Sequence, residues 1–280
     1  MMNLEQALRI IRQTDTGKLR NRNEDSVASD TSIGMALLAD GMGGYNAGDV
    51  ASQMAALTIT AELKACFKQA QQRQGSLDAN NISTHMLDAI NAANQAIYQV
   101  SNEQAQCAGM GTTLVVSVFI DNKVVIGHIG DSRAYRFRAG TLTPLTNDHS
   151  VLQEQLDAGL LSAEQAKTVN YKNYVTRAVG VDPTADVEFN TYDVALQDVY
   201  LLCSDGLTDM LDEDEIRLTL SEQNDNLELA ANTLIRKANL HGGKDNISVI
   251  LIQILQDFAL VKPKWYTTLI QKMLAKANHG

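Results

Sequence analysis

The chain has 280 residues, enough for one large domain or two small ones. Its 45% apolar content supports a sizeable core and excludes a disordered chain. A formal net charge of −10 excludes nucleic acid as a default partner, and it fits either a solvated acidic surface or a site crowded with carboxylates.

From the N-terminus, MMNLEQALRIIRQ lacks a long apolar run, and no later stretch approaches a membrane span, so a cytoplasmic protein is expected. MALLAD (35–40) reads as a short buried strand ending at Asp40. After the glycines that follow, Val50, Met54, Leu57 and Ala61 fall at helical spacing. QQRQGSLDANN (71–81) is a polar linker, and Met86, Ile90, Ala93, Ile97 and Val100 mark a second amphipathic helix. GTTLVVSVFIDNKVVIGHIGDSRAYRFRAG is β-rich, with turns at Asp121-Asn122 and Ala139-Gly140, and the short connections predict antiparallel hairpins.

Residues 147–173 are polar and helix-prone. VEFNTYDV and DVYLLCSD return to strands, DEDEIRLTL and NLELAANTLIRKANL are helical, and NISVILIQIL closes as an apolar strand. The order predicts antiparallel sheets covered by helices in one domain, of class α+β or a layered sandwich. Cys66, Cys107 and Cys203 are far apart and outside any C-x-x-C spacing, which fits a reducing compartment and speaks against a zinc cluster or disulfide frame. Cys203, inside VYLLCSD, reads as a small buried hydrophobe.

The carboxylates recur at strand ends. Asp40 ends MALLA, Asp131 follows VVIGHIG, Asp205 follows VYLLCS and Asp245 precedes NISVILIQIL. Any one of them is explained by turn chemistry. Together, and with Glu24-Asp25 in RNRNEDS, they make an oxygen-donor set suited to hard divalent cations. Glycine beside a carboxylate lets the backbone turn sharply and bring its own carbonyl close to an ion. A nucleotide loop is not supported: G-x-x-x-x-G-K-[ST] is absent, and position 46 is Asn where G-x-G-x-x-G requires Gly. Arg20, upstream in GKLRNRNEDS, is either a surface ion-pair residue or a phosphate-binding guanidinium.

These motifs resemble the metal-dependent serine/threonine protein phosphatases of the PPM type (protein phosphatase 2C) in their bacterial form. TDTGKLRNRNEDS, LLADGMGGYNAGDVAS, GMGTTLVV, GHIGDSRAYRFR, LTNDHS, VTRAVG, LLCSDGLTDML and GGKDNISVILI run in family order from residue 14 to about 252. The resemblance implies a four-layer α-β-β-α sandwich of two antiparallel sheets flanked by helices, with a catalytic domain over 1–256. It implies that Asp40 bridges two Mn²⁺ or Mg²⁺ ions, that Gly41 lends its carbonyl, and that Asp205 and Asp245 hold the first ion. Glu24 and Asp25 would act through metal-bound waters, Asn246 would sit beside the last ligand, and Asp131 with Asp205 would hold a third, looser ion. Arg20 would grip the substrate phosphate. A water bridging the two ions would then attack phosphorus in phosphoserine or phosphothreonine with no phosphoenzyme, and Cys203 and Ser204 would take no catalytic part.

Further implications are phosphorylated protein partners, among them a Ser/Thr kinase or its substrates, and a monomer. Met42 stands where eukaryotic relatives carry a His, and Tyr45 where many bacterial relatives do, so neither position supplies the histidine proton donor of those relatives. Of the five histidines, none has ligand spacing; His128 reads as a core residue and His149 as part of a structural loop. Residues 147–173 match the family's flap insertion beside the active site. In the tail, 257–280, Trp265, Leu269, Ile270, Met273 and Leu274 share a helical face beside Lys264, Lys272 and Lys276, and a helix docked on the body is favoured over a partner or membrane contact. Two other readings are a phosphatase-like binding module without turnover and a phosphatase acting on a small phosphorylated molecule. Retention of Arg20, Asp40, Asp205 and Asp245 favours the protein phosphatase over the binding module.

Overall fold

Strands that are apolar at every position, such as LVVSVFI and ISVILIQI, must be covered on both faces, and this requirement sets the layering. A computed structural model describes residues 4–43, 47–73, 77–162, 165 and 174–260. Its strands are β1 (Leu8–Asp15), β2 (Asp25–Asp30), β3 (Met35–Met42), β4 (Gly111–Thr112), β5 (Leu114–Ile120), β6 (Lys123–Ile129), β7 (Arg133–Arg138), β8 (Thr141–Pro144), β9 (Glu188–Asp193), β10 (Val199–Cys203) and β11 (Ile247–Ile254). One sheet runs β1-β11-β10-β7-β8; the other runs β2-β3-β5-β6-β9, with β4 beside β3. The pairings are antiparallel.

Alternate residues then sort into three packed interfaces. Between the sheets, Leu38, Val115, Phe119 and Ile126 meet Tyr200, Leu202, Ile250 and Ile252. On the outside of the second sheet, Met35, Leu37, Val116 and Val118 pack under helices α2 (Gly48–Gln72) and α3 (Ile82–Glu103), which follow the one-turn α1 (Leu4–Ala7). After α4 (Val151–Asp157) and the one-turn α5 (Asp205–Thr208), helices α6 (Glu213–Glu222) and α7 (Leu227–Leu240) cover Leu201, Val249 and Leu251 of the first sheet. The result is the expected α-β-β-α sandwich of class α+β. Truncating one of these fully buried leucines to alanine costs about 2–5 kcal/mol.

Local chemistry fixes the connections. Asp121 and Asn122 take φ of 51° and 54°, and Ala139 and Gly140 take 49° and 80°, so both hairpins turn through two left-handed residues. A reciprocal Asp212–Glu215 capping box starts α6, and the Asn226 side chain accepts the Leu229 N–H at the start of α7.

Two features were not anticipated. Helix α2 is present as expected, but the residues whose spacing marked it do not form its buried face: Val50 and Leu57 are exposed, Met54 is partly buried, and Ala51, Ala55, Ala56, Ile59 and Leu63 face the core. Small residues let α2 approach the sheet closely, so the largest side chains were a poor guide to orientation. The second is the pair of strands β1 and β2, whose interleaved charged and polar residues hide their strand character.

Of residues 147–173, expected to form a flap, 147–162 and 165 are described, with α4 as a helix; the remainder lies outside the described residues. Of the tail, residues 257–260 are described: Phe258 is buried, its N–H bonds Asn122 Oδ1 at 2.7 Å, and Leu260 N–H bonds Asp121 Oδ1 at 2.8 Å. The helical face from Trp265 to Leu274 lies outside the described residues. Among the described residues, no helix is long and apolar enough to cross a membrane.

Candidate metal centre

Both sheets present acidic residues at one end. Asp25 on β2 and Asp40 on β3 are direct cross-strand partners. The Asp40 carbonyl accepts from Thr113 N–H and from Thr112 Oγ1, each at 2.8 Å, so its backbone cannot drift. Thr113 Oγ1 and Ser132 Oγ share a buried hydrogen bond of 2.7 Å, which ties this strand end to the loop carrying Asp131. Gly130, at φ 104°, turns the chain from β6 into Asp131, which is buried.

The other sheet contributes Asp205, the first residue of α5 after β10, and Asp245, just before β11. Ser204 Oγ donates to Asp25 Oδ2 at 2.9 Å and joins the two sheets at the site. Asn246 accepts the Glu24 N–H through Oδ1 at 2.8 Å. It also donates through Nδ2 to the carbonyls of Thr16 and Arg22 at 2.9 and 2.8 Å. That one side chain therefore shapes the loop holding Arg20 and Glu24. Arg20 donates to Asp245 Oδ2 at 2.7 Å and remains half-exposed.

The carboxylates repel one another in a poorly solvated place. Burial raises the Asp40 pKa well above the ordinary 3.8, reinforced by Asp25, Asp205, Asp131 and Asp245 in that order. Burial likewise lifts Asp205 far up, followed by the fields of Asp131 and Asp245. Asp25 is pushed up to about 6 by burial, against the hydrogen bonds of Ser248 and Ser204. Asp131 also rises to about 6 through burial and then Asp148. Glu24 rises through burial and then Asp49, whereas Arg20 is held more firmly charged by its bond to Asp245.

This arrangement fits divalent metal ions. The donors are all oxygens, Asp25 Oδ1 is buried with no hydrogen-bond donor, and the mutual repulsion is what a cation relieves. Gly41 is bare for a reason the sequence did not give: a Cβ there would lie 2.0 Å from the Gly48 carbonyl oxygen, where the chain crosses at the start of α2. Asp49 sits in the first turn of that helix and pairs with Arg22 at 3.6 Å, as a helix-start charge should.

All nine predicted site residues, Arg20, Glu24, Asp25, Asp40, Gly41, Asp131, Asp205, Asp245 and Asn246, thus fall at this end. Sequence reasoning overlooked Asp209, whose field acts on both Asp131 and Asp205. Its position four residues after Asp205, one helical turn on, was the available signal. It also overlooked the bidentate pair of Arg133 with Asp148, at 2.8 and 2.6 Å, beside Asp131. Met42 ends β3 opposite Gly111, and Tyr45 lies outside the described residues. Burial pushes the Cys203 thiol up to about 12, in keeping with a core residue.

The sequence model of protein phosphatase 2C matches residues 19–240. The chain belongs to the protein phosphatase 2C family. It is 38% identical over 246 residues to the serine/threonine phosphatase stp of Listeria welshimeri, covering 86% of this chain and 94% of that one. Among solved phosphatase 2C-like structures, the serine/threonine phosphatase PstP/Ppp of Mycobacterium tuberculosis superposes with a TM-score of 0.80 at 31% identity, covering 89% of this chain and 100% of that one. The catalytic domain of PstP in complex with 2 manganese ions superposes with a TM-score of 0.77 at 31% identity, over 89% and 99% of the two chains.

Proposed function

We propose that this phosphatase is a cytoplasmic, monomeric, Mn²⁺- or Mg²⁺-dependent enzyme that hydrolyses phosphoserine and phosphothreonine in proteins and so opposes a Ser/Thr kinase. The carrying observation is the convergence of Asp25, Asp131, Asp205 and Asp245 on Asp40, at one oxygen-only site where each raises its pKa. Asp40, the Gly41 carbonyl, Asp205 and Asp245 would hold the ions, Asp40 serving both. Glu24 and Asp25 would assist through coordinated waters, and Asp131 with Asp205 would hold a third, looser ion. Residues 1–256 form the catalytic domain, 147–173 its flap and 257–280 the tail.

When bound, the ions supply an activated water and neutralise negative charge on the phosphate. The chain's own groups do the positioning. Arg20, half-exposed and tethered at Asp245, presents a planar fork of donors to phosphate oxygens. Asn246 fixes the loop from which Arg20 projects, and Ser204 orients Asp25. The neighbouring Cys203 is a buried, protonated thiol, so it offers no nucleophile.

The test is hydrolysis of a phosphothreonine peptide by the purified chain with Mn²⁺, with and without EDTA, alongside Asp205→Asn. EDTA and the substitution are both expected to abolish turnover. Full activity in metal-free buffer, or an unchanged rate in Asp205→Asn, would overturn the reading.

A further inference from the structure

Away from the oxygen cluster, two histidines and a carboxylate meet at the β6–β9 ladder. His128 on β6 and Glu188 on β9 are direct cross-strand partners. His149, between β8 and α4, stacks on His128 with ring centroids 4.6 Å apart and planes 25° from parallel. Both rings are buried, at 1% and 6% exposure, whereas the Glu188 side chain is 41% exposed.

The hydrogen bonds define which nitrogens remain. His128 Nε2 lies 2.8 Å from the Asn147 carbonyl, so Nε2 carries the proton and Nδ1 holds the lone pair. That Nδ1 is buried and receives no hydrogen bond. His149 Nδ1 accepts the Gly130 N–H at 3.3 Å, and its buried Nε2 has no hydrogen-bond partner, with Glu188 Oε2 at 3.6 Å. One ligand atom from each residue lies within 4.8 Å of the others. His128 Nδ1 is thus without a partner, and His149 Nε2 faces only the Glu188 carboxylate, beyond hydrogen-bond distance, a costly arrangement unless something unites them.

The surroundings resemble the outer support of a metal site. A backbone carbonyl orients His128, and Asn190 Nδ2 donates to Glu188 Oε1 at 2.8 Å, leaving Oε2 toward the histidines. Two imidazoles with one carboxylate suit a borderline-soft divalent cation, in contrast to the hard-cation donors of the aspartate cluster. The exposed side of Glu188 provides the way in.

We propose that His128 Nδ1, His149 Nε2 and Glu188 Oε2 form a binding site for a Zn²⁺-class divalent cation. Uptake at His149 Nε2 displaces the proton that the neutral ring carries there. The proton passes to Nδ1, so that the ligating ring stays neutral, and the hydrogen bond from Gly130 N–H to Nδ1 is given up. The site's existence does not depend on the phosphatase reading, because its ligands are separate residues.

The test uses an Asp40→Asn/Asp205→Asn background, which disables the aspartate cluster, titrated with Co²⁺ and then Zn²⁺. One equivalent of Co²⁺ is expected to give the intense visible absorption of a four-coordinate nitrogen-containing site, and Zn²⁺ to bleach it. Adding Glu188→Gln should weaken Co²⁺ binding at least about tenfold, and adding His149→Gln should abolish the band. Circular dichroism melts check folding; should His149→Gln fail to fold, the exposed Glu188→Gln decides alone. Absence of the band, or a band indifferent to Glu188→Gln, overturns the proposal, as does Zn²⁺ bound elsewhere only.

Discussion

At Asp40, burial and four neighbouring carboxylates act in the same direction, all opposing the ionised form that a metal ligand must take. The Thr112 and Thr113 bonds keep the residue in place despite this. A group held against its electrostatic preference is a mark of function over stability. The prediction for Asp40→Asn is therefore two-sided. Turnover of a phosphopeptide with Mn²⁺ should fall more than about 100-fold, beyond the usual loss for an outer-shell partner. The melting temperature measured in EDTA should rise, because a neutral amide removes the buried charge while keeping the shape. A lower melting temperature in EDTA would contradict the electrostatic account.

At the scale of elements, the site depends on the turn before β11 gripping the loop between β1 and β2. Asn246 makes three hydrogen bonds to that loop, at Thr16, Arg22 and Glu24. Asn246→Ala strands two carbonyls and an N–H, and is expected to destabilise the protein by about 2 kcal/mol or more. Mn²⁺ affinity should fall roughly 10- to 100-fold as Glu24 and Arg20 lose their register. Denaturant unfolding and metal titration check the two effects separately; unchanged Mn²⁺ affinity would mean the loop is held by other contacts. Elements of this kind were unevenly legible in the sequence. β3, β5 and β11 announced themselves because both faces are buried, so their residues run almost continuously apolar. β1 and β2 did not, since polar residues such as Arg9, Arg12, Ser26 and Ser29 interrupt them. Helix α2 was legible as a helix, but its alanine-rich inner face was not. The aspartates were recognisable from their shared place at strand ends and from family motifs. Their convergence was not readable from spacing, because residues 25, 40, 131, 205 and 245 meet only through the sandwich. For the same reason His128, His149 and Glu188 showed no ligand spacing, although the β6–β9 register pairs His128 with Glu188 and His149 stacks on His128.

At the scale of the whole molecule, a chain with a formal charge of −10 concentrates five carboxylates where its two sheets end together. The sheets are joined there by Ser204 to Asp25 at 2.9 Å, so protonation of the cluster is a global stability matter. Asp25 and Asp131 each rise from 3.8 to about 6 on folding, and Asp40 and Asp205 are raised as well. As pH falls below about 6 the metal-free folded state takes up these protons before the unfolded chain does, so stability increases toward pH 4. Read upward, that stability is present below the unfolded value and lost as pH rises through the folded ones. His149 works the other way, since burial and His128 lower its proton affinity below the ordinary 6.5. So do Asp30, Glu188, Asp193 and Asp257, but these four carboxyls lie below the ordinary carboxylate range and leave His149, among the described residues, alone to oppose the cluster between about pH 5 and about pH 7.5. Divalent ions require the ionised carboxylates, so their binding weakens over the same acid range. Melting curves in EDTA should therefore show a higher transition at about pH 5 than at about pH 7.5, while the stabilisation conferred by Mn²⁺ grows from the first pH to the second. An EDTA melting temperature that stays level or climbs between those two pH values would show that the carboxylates do not repel one another as their placement requires.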